Sequence, residues 1–289
     1  MNFKKKIIIG TANFDNSYGK YIKTKVDNQK TKLILNHLKK NNIKYLDTAI
    51  SYKNVDKLIG QNNLSFFNII TKIGFYNHSN ITLDFLKRHI DVSFNNLNLS
   101  KIYAILLHQP ILSLKKNPKE YLKILTNLKK DKIVKKIGIS VYYPEELEYC
   151  LNEFEFDIVQ FPMNIFDNRF LNSGLLDNIN KKKIETHARS IFLQGVITMH
   201  KWPNHFNKWS NHIKKFNKEI SKLQLDPVKA SINYILNTDK IDGVVLGIKD
   251  INQINNFFKN IDDSIDLSYF NELFSIEDEN FVNPSLWKS

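Results

Sequence analysis

The sequence predicts a closed parallel barrel, the (β/α)8 or TIM-barrel class of α/β fold. Three observations predict it. Eight short apolar runs alternate with segments of helical periodicity. The runs are solidly apolar and lack the in–out alternation of half-exposed strands, as expected where helices cover a parallel sheet. The whole series fits in 289 residues with no dividing linker, so residues 1–289 read as a single domain.

The elements follow in order. Lys5–Ala12 reads as the first strand, and the polar segment Asn13–Lys25 as a long loop. Asp27 is a helix N-cap before Leu33, Ile34 and Leu38, with the helix ending near Asn41 and Asn42. Tyr45–Ala49 is the second strand, and a helix from about Asn54 to Ile59 is stopped by Gly60. Asn68–Ile73 is the third strand. In Thr82–Leu97 the spacing of Leu83, Leu86, Ile90 and Phe94 is that of an amphipathic helix. Ile102–Leu107 is the fourth strand and Pro118–Lys130 a helix. Lys136–Ser140 is the fifth strand, with Pro144 in the first turn of the next helix, where a missing N–H costs little. Asp157–Phe161, Ile184–Arg189 and Gly243–Ile248 complete the strands. Lys215–Leu223, Pro227–Leu236 and Ile251–Phe258 are helical.

Composition narrows the function. Aromatic residues make up 12% of the chain and Phe occurs 20 times, enough for a large core. Cys150 stands alone, so no internal disulfide can form. The apolar run near the N-terminus ends at Gly10, too short for a signal segment or membrane span, and a cytoplasmic protein without membrane contact is expected. The net charge of +13 does not argue for nucleic acid. Only Arg88, Arg169 and Arg189 among the 42 basic residues are Arg, whose planar fork reads bases and phosphates, and the Lys residues are scattered. His200, His205 and His212 do not have the spacing of a zinc site, and no metal is expected.

Four polar side chains at strand ends are costly to bury singly. Lys72 in Ile69-Ile70-Thr71-Lys72-Ile73 needs a counter-charge, and Asp47 on the neighbouring strand can supply it. A cation beside Tyr52 would favour the phenolate and bring the phenol toward the range of a general acid. His108, after Leu106-Leu107, could orient the oxygen being protonated. Each has a plain alternative: a core histidine, a structural ion pair, a tyrosine at a helix start. Their coincidence at consecutive strand ends favours a site, since parallel barrels carry their chemistry at that face.

Asp47-Thr48-Ala49-x-x-Tyr52-x-Asn54, then Thr71-Lys72 and Leu106-Leu107-His108, resemble the aldo-keto reductases, and the resemblance runs from the first strand to the last helix. It implies that Tyr52 protonates a carbonyl oxygen while a nicotinamide supplies hydride, that Lys72 and Asp47 tune Tyr52, and that His108 orients the substrate. On the cofactor side it implies Thr11, Ser140 and Gln160, with Arg189 where relatives place a stacking Tyr or Trp. Ser190, Leu193 and Gly195 match the loop over the pyrophosphate, and Gly247, Lys249, Gln253 and Asn256 the adenosine-phosphate segment. Lys249 favours NADPH, with NADH the second choice. Phe14, Tyr18, Gln109 and Trp202 are candidates for the substrate pocket. The segment Arg189–Gly195, together with the short ends, is similar to bacterial members often found near surface-polysaccharide or nucleotide-sugar genes, which makes a sugar-derived aldehyde or ketone the leading substrate. The expected partner is a small carbonyl compound and the expected state a monomer or weak dimer. The alternative is a cofactor-binding regulatory or scaffold subunit with little turnover.

Overall fold

The computed structural model describes residues 3–15, 26–74, 83–111, 118–262 and 264–287. Its centre is a closed barrel in which each strand pairs with its sequence neighbours and the last pairs with the first, all in parallel. The strands are β1 (Ile7–Gly10), β2 (Tyr45–Asp47), β3 (Asn68–Ile73), β4 (Ile102–His108), β5 (Val134–Ser140), β6 (Ile158–Pro162), β7 (Glu185–Arg189) and β8 (Gly243–Gly247). Around them lie α1 (Asn28–Lys40), α2 (Val55–Gly60), α3 (Leu83–Leu97), α4 (Pro118–Lys130), α5 (Pro144–Glu153), α6 (Arg169–Asn172), α7 (Leu175–Lys181), α8 (Ser210–Lys222), α9 (Pro227–Leu236) and α10 (Ile251–Asn260). The short helices α11 (Phe270–Phe274) and α12 (Glu279–Val282) close the C-terminal part. Among the described residues, no helix is long and apolar enough to cross a membrane.

Period-two geometry sorts every strand into two faces. Ile7, Ile9, Leu46, Ile69, Ile73, Ile105, Leu107, Ile139, Val159, Phe161, Val244 and Leu246 join the main core shared with the helices. The alternate positions Ile8, Ile70, Ala104, Leu106 and Ile158 form a second, smaller cluster inside the barrel. Two residues further along the same interior faces come Gly10, Asp47, Lys72, His108 and Gln160. The polar strand ends therefore converge on one mouth, the C-terminal one. At the opposite end Glu185 accepts from the Tyr103 hydroxyl at 2.9 Å and from His187 Nε2 at 2.7 Å, and it also pairs with Lys136. Burial pushes the Glu185 carboxyl up, but the His187 and Lys136 contacts outweigh it and bring its pKa to about 2.

Helix starts follow local chemistry. Asp27, Asp226 and Asp250 each accept a backbone N–H from the first turn of α1, α9 and α10, at 2.8 Å in each case. Pro144 opens α5 as expected. Several boundaries differ from the sequence reading. Phe3–Lys6 is a 3-10 turn, so the first strand starts at Ile7, and Ala12–Phe14 forms another such turn. The expected helix over Lys215–Leu223 begins five residues earlier, at Ser210. The second strand ends at Asp47, although Thr48 N–H and Ile50 N–H still donate to Ile70 and Lys72 carbonyls on β3.

Gly60 does not stop its helix; it is the last residue of α2. A Cβ there would lie 1.9 Å from the Asn96 carbonyl oxygen and 2.8 Å from Leu97 Cα. Gly60 is small because α2 abuts the end of α3. Gly60→Ala is expected to destabilise the fold by about 1–3 kcal/mol, as overpacking does. Urea unfolding checks this, and a loss under ~1 kcal/mol would show that the helices move apart freely.

Candidate active site

Lys72 and Asp47 stand side by side on β3 and β2, only 2% and 3% exposed, with Lys72 Nζ 2.5 Å from Asp47 Oδ1. The second carboxylate oxygen, Oδ2, accepts from Gln160 Nε2 of β6 at 2.8 Å. Burial lowers the Lys72 pKa, and Arg189 adds to that, while the Asp47 charge opposes both. The Asp47 backbone is held as well. Its carbonyl accepts from Thr11 N–H and from Thr11 Oγ1, both at 2.9 Å. Thr11 is thus buried behind β2 and positions Asp47.

Tyr52 follows in the turn between β2 and α2. Its N–H donates to the Ala49 carbonyl at 2.9 Å, and its half-buried ring lies 5.7 Å from Lys72 Nζ. Two buried carboxylates fix this turn. Asp56 accepts from Thr48 Oγ1 and Ser93 Oγ, each at 2.7 Å, and burial raises its pKa. Asp15 accepts the Lys53 N–H at 3.1 Å. The sequence reading missed both acids. The one signal available for Asp56 was an acidic residue on the inward side of a short helix.

His108 ends β4 and is buried. Burial, then the charges of Lys72 and Arg189, hold its pKa well below 6.5. That direction favours the neutral imidazole. Next to it Gln109 takes a left-handed backbone, φ 56°, and its buried Oε1 has no hydrogen-bond partner among the described residues.

A trough of about 410 Å³ opens over this mouth. Asp47, Tyr52, Gln160 and Arg189 line it near the barrel axis. Ser190, Gln194, Gly195, Gly247, Lys249, Gln253 and Asn256 line its further reaches, with Phe192 and Phe257 stacked at 5.2 Å between ring centres. Non-glycine residues Ser190, Leu193 and Gln194 have φ of 60°, 48° and 52° in this loop. Such backbone costs of order 1 kcal/mol per residue and concentrates at ligand-binding loops. Ser140 Oγ on β5 and Gln160 Oε1 on β6 are buried neighbours in register, and neither has a partner among the described residues. One hydroxyl and one amide oxygen left open together fit a group that both donates and accepts.

Arg189 ends β7. Its guanidinium carbon lies 4.1 Å from the centre of the Tyr142 ring, and its Nη2 donates to the Val141 carbonyl at 3.1 Å. Tyr142 is held in turn by Glu146, whose carboxylate accepts the Tyr142 N–H at 2.6 Å. The cation is thereby laid flat at the edge of the trough.

Not every candidate from the sequence lines the trough: Thr11, Lys72, His108, Gln109 and Ser140 are buried or half-buried at the mouth but are not among its lining residues, and others pack elsewhere. Phe14 packs into the main core, where burying its ring outweighs exposing it in a loop. Trp202 sits against Phe206, Phe166 and Phe281 at 5.2, 5.7 and 6.0 Å, in an aromatic cluster that pins the C-terminal segment. Leu193 is buried and anchors its loop without facing the trough. Tyr18 lies outside the described residues. His205 and His212 bond separately to the carbonyls of Asn280 and Phe274. Asn13, Val228 and Phe257 line the trough and were not anticipated.

The profile of the "Aldo/keto reductase family" matches residues 6–277. Among solved structures, the chain is similar to the holo form of an aldo-keto reductase from Bacillus halodurans, with 16% identity, 95% of each chain covered and a TM-score of 0.77. The apo form of that protein gives 17% identity, 86% of each chain and a TM-score of 0.71. No curated protein sequence matches.

Proposed function

The chain belongs to the aldo/keto reductase family, oxidoreductases that work with nicotinamide cofactors, and from that premise we propose that it is an NADPH-dependent carbonyl reductase with Tyr52 as its proton donor. The observation that carries the reading is the buried Lys72–Asp47 pair beside the Tyr52 ring, with Asp47 and Tyr52 both lining the trough. A bound reduced nicotinamide would supply hydride to the carbonyl carbon. Tyr52 donates its hydroxyl proton to the carbonyl oxygen, completing the alcohol. The Lys72 ammonium, anchored by Asp47, stabilises the phenolate left behind. His108, being neutral, offers a hydrogen bond that orients the carbonyl oxygen and does not compete as the acid.

The open Ser140 Oγ and Gln160 Oε1 fit the cofactor carboxamide. Lys249, Gln253 and Asn256 would hold the adenosine phosphates, with Lys249 favouring a 2′-phosphate. A hydroxylated, sugar-derived aldehyde or ketone is the substrate class we favour; the buried Gln109 oxygen beside His108, without a partner among the described residues, could accept a hydrogen bond from such a hydroxyl. Parallel assays of NADPH and NADH oxidation with sugar aldehydes, keto sugars and a generic aromatic aldehyde test this reading. Turnover with NADPH supports it, and no turnover with any of them would favour the scaffold alternative.

Arg189 adds positive charge where an oxidised nicotinamide would also be positive. It should therefore favour the reduced cofactor. Arg189→Tyr is expected to shift the ratio of NADPH to NADP+ affinities by about tenfold toward NADP+, the effect of ~1.4 kcal/mol. Fluorescence titration measures the ratio, and an unchanged value would remove the idea.

A further inference from the structure

Resting on the reading of a nicotinamide cofactor, we infer that Asp47 sets the orientation of the Gln160 amide and so makes this site select a ring carboxamide over a ring carboxylate. Gln160 is fully buried, and its terminal amide has two faces: Nε2 donates and Oε1 accepts. Asp47, paired with the Lys72 ammonium, can only accept. The amide nitrogen must therefore face Asp47, as the 2.8 Å contact to Oδ2 records. That leaves Oε1, which has no partner among the described residues, as the end available to a ligand, on a side chain that lines the trough.

Ser140 Oγ, open on the adjoining strand, supplies the complementary donor. A primary amide satisfies both groups: its N–H reaches Gln160 Oε1 and its oxygen takes the Ser140 hydroxyl proton. A carboxylate has no hydrogen to give and sets lone pair against lone pair at Gln160. Asn at position 47 can donate as well as accept. The Gln160 amide can then turn over about its soft terminal torsion and present Nε2 to the trough. Asp47 acts here as a positioning residue for cofactor identity, apart from its service to Lys72.

The experiment titrates the full-length protein with NADP+ and with its nicotinic acid counterpart, by calorimetry, without turnover. The wild type is expected to bind the carboxamide form on the order of 100-fold more tightly, since leaving a buried acceptor unpaired against a carboxylate is costly. In Asp47→Asn the preference is expected to fall about tenfold. Tyr52→Phe is expected to keep it, because that variant leaves the Asp47–Gln160 contact in place. Gln160→Met on its own loses the preference, and adding Asp47→Asn to Gln160→Met changes it no further. A simple charge effect of Asp47→Asn would persist in the Gln160→Met background, and that result overturns the inference. So does a wild-type-like preference in Asp47→Asn, or a wild type that binds both forms equally. A wild type that binds neither form removes the cofactor reading itself.

Discussion

Tyr52→Phe is expected to lower kcat about 10³-fold or more while cofactor affinity stays within a factor of about three. The substitution removes one oxygen and leaves the ring in place. On the proposed mechanism the lost interaction is proton transfer in the transition state, worth 10²–10⁴ for a positioned general acid. A 10³-fold fall corresponds to ~4 kcal/mol. KM for the aldehyde should change little, because the hydroxyl contributes more to the transition state than to ground-state binding. Stopped-flow hydride transfer separates chemistry from product release. Equal single-turnover rates in the two proteins would mean that another group is the acid. His108 is the other candidate acid, but burial and the charges of Lys72 and Arg189 lower its pKa and disfavour the protonated form.

Lys72→Met is expected to damage both catalysis and stability. Lys72 is the buried counter-charge of Asp47, and its loss strands a carboxylate whose remaining side-chain contact is the Gln160 amide. Removing one partner of a buried pair costs about 3–5 kcal/mol. Urea denaturation should show a fall of that size in unfolding free energy. Activity should drop by at least ~10², because the phenolate of Tyr52 loses its stabilising cation. Met is close in length to the Lys stem, so a cavity is not the main cause. Unchanged stability would show that the Lys72–Asp47 contact is not a buried ion pair.

Much of the scaffold was legible locally. The eight strands stand at the apolar runs, displaced by a residue or two at their ends, because a strand covered on both faces must be apolar along its length. Lys5 and Lys6 fall outside the first strand; a short 3-10 turn takes them instead. Part of the candidate site was legible for a related reason. In a parallel barrel every strand's C-terminal end points to one mouth, so Asp47, Lys72 and His108 could be assigned to it by their place in the strand, whereas Ser140, Gln160 and Arg189 were pointed to only by the family resemblance.

Other parts had no local signature. Trp202 and Phe14 look like pocket residues in the sequence, and both are packing residues in the fold. Asp56 and Asp15, which brace the Tyr52 turn, read as ordinary surface acids until Ser93 and Lys53 are seen beside them. Gly60 reads as a helix stop until Asn96 is found against it.

By itself, then, the sequence determined the repeating unit, the strand positions and which polar groups share the barrel mouth, because periodicity and burial act over a few neighbouring residues. Only the tertiary structure decided which oxygen of Asp47 serves Lys72 and which serves Gln160, which buried polar atoms lack a partner among the described residues, and which aromatics face inward. Those outcomes depend on contacts between elements far apart in the chain, where a difference of one ångström separates a hydrogen bond from none.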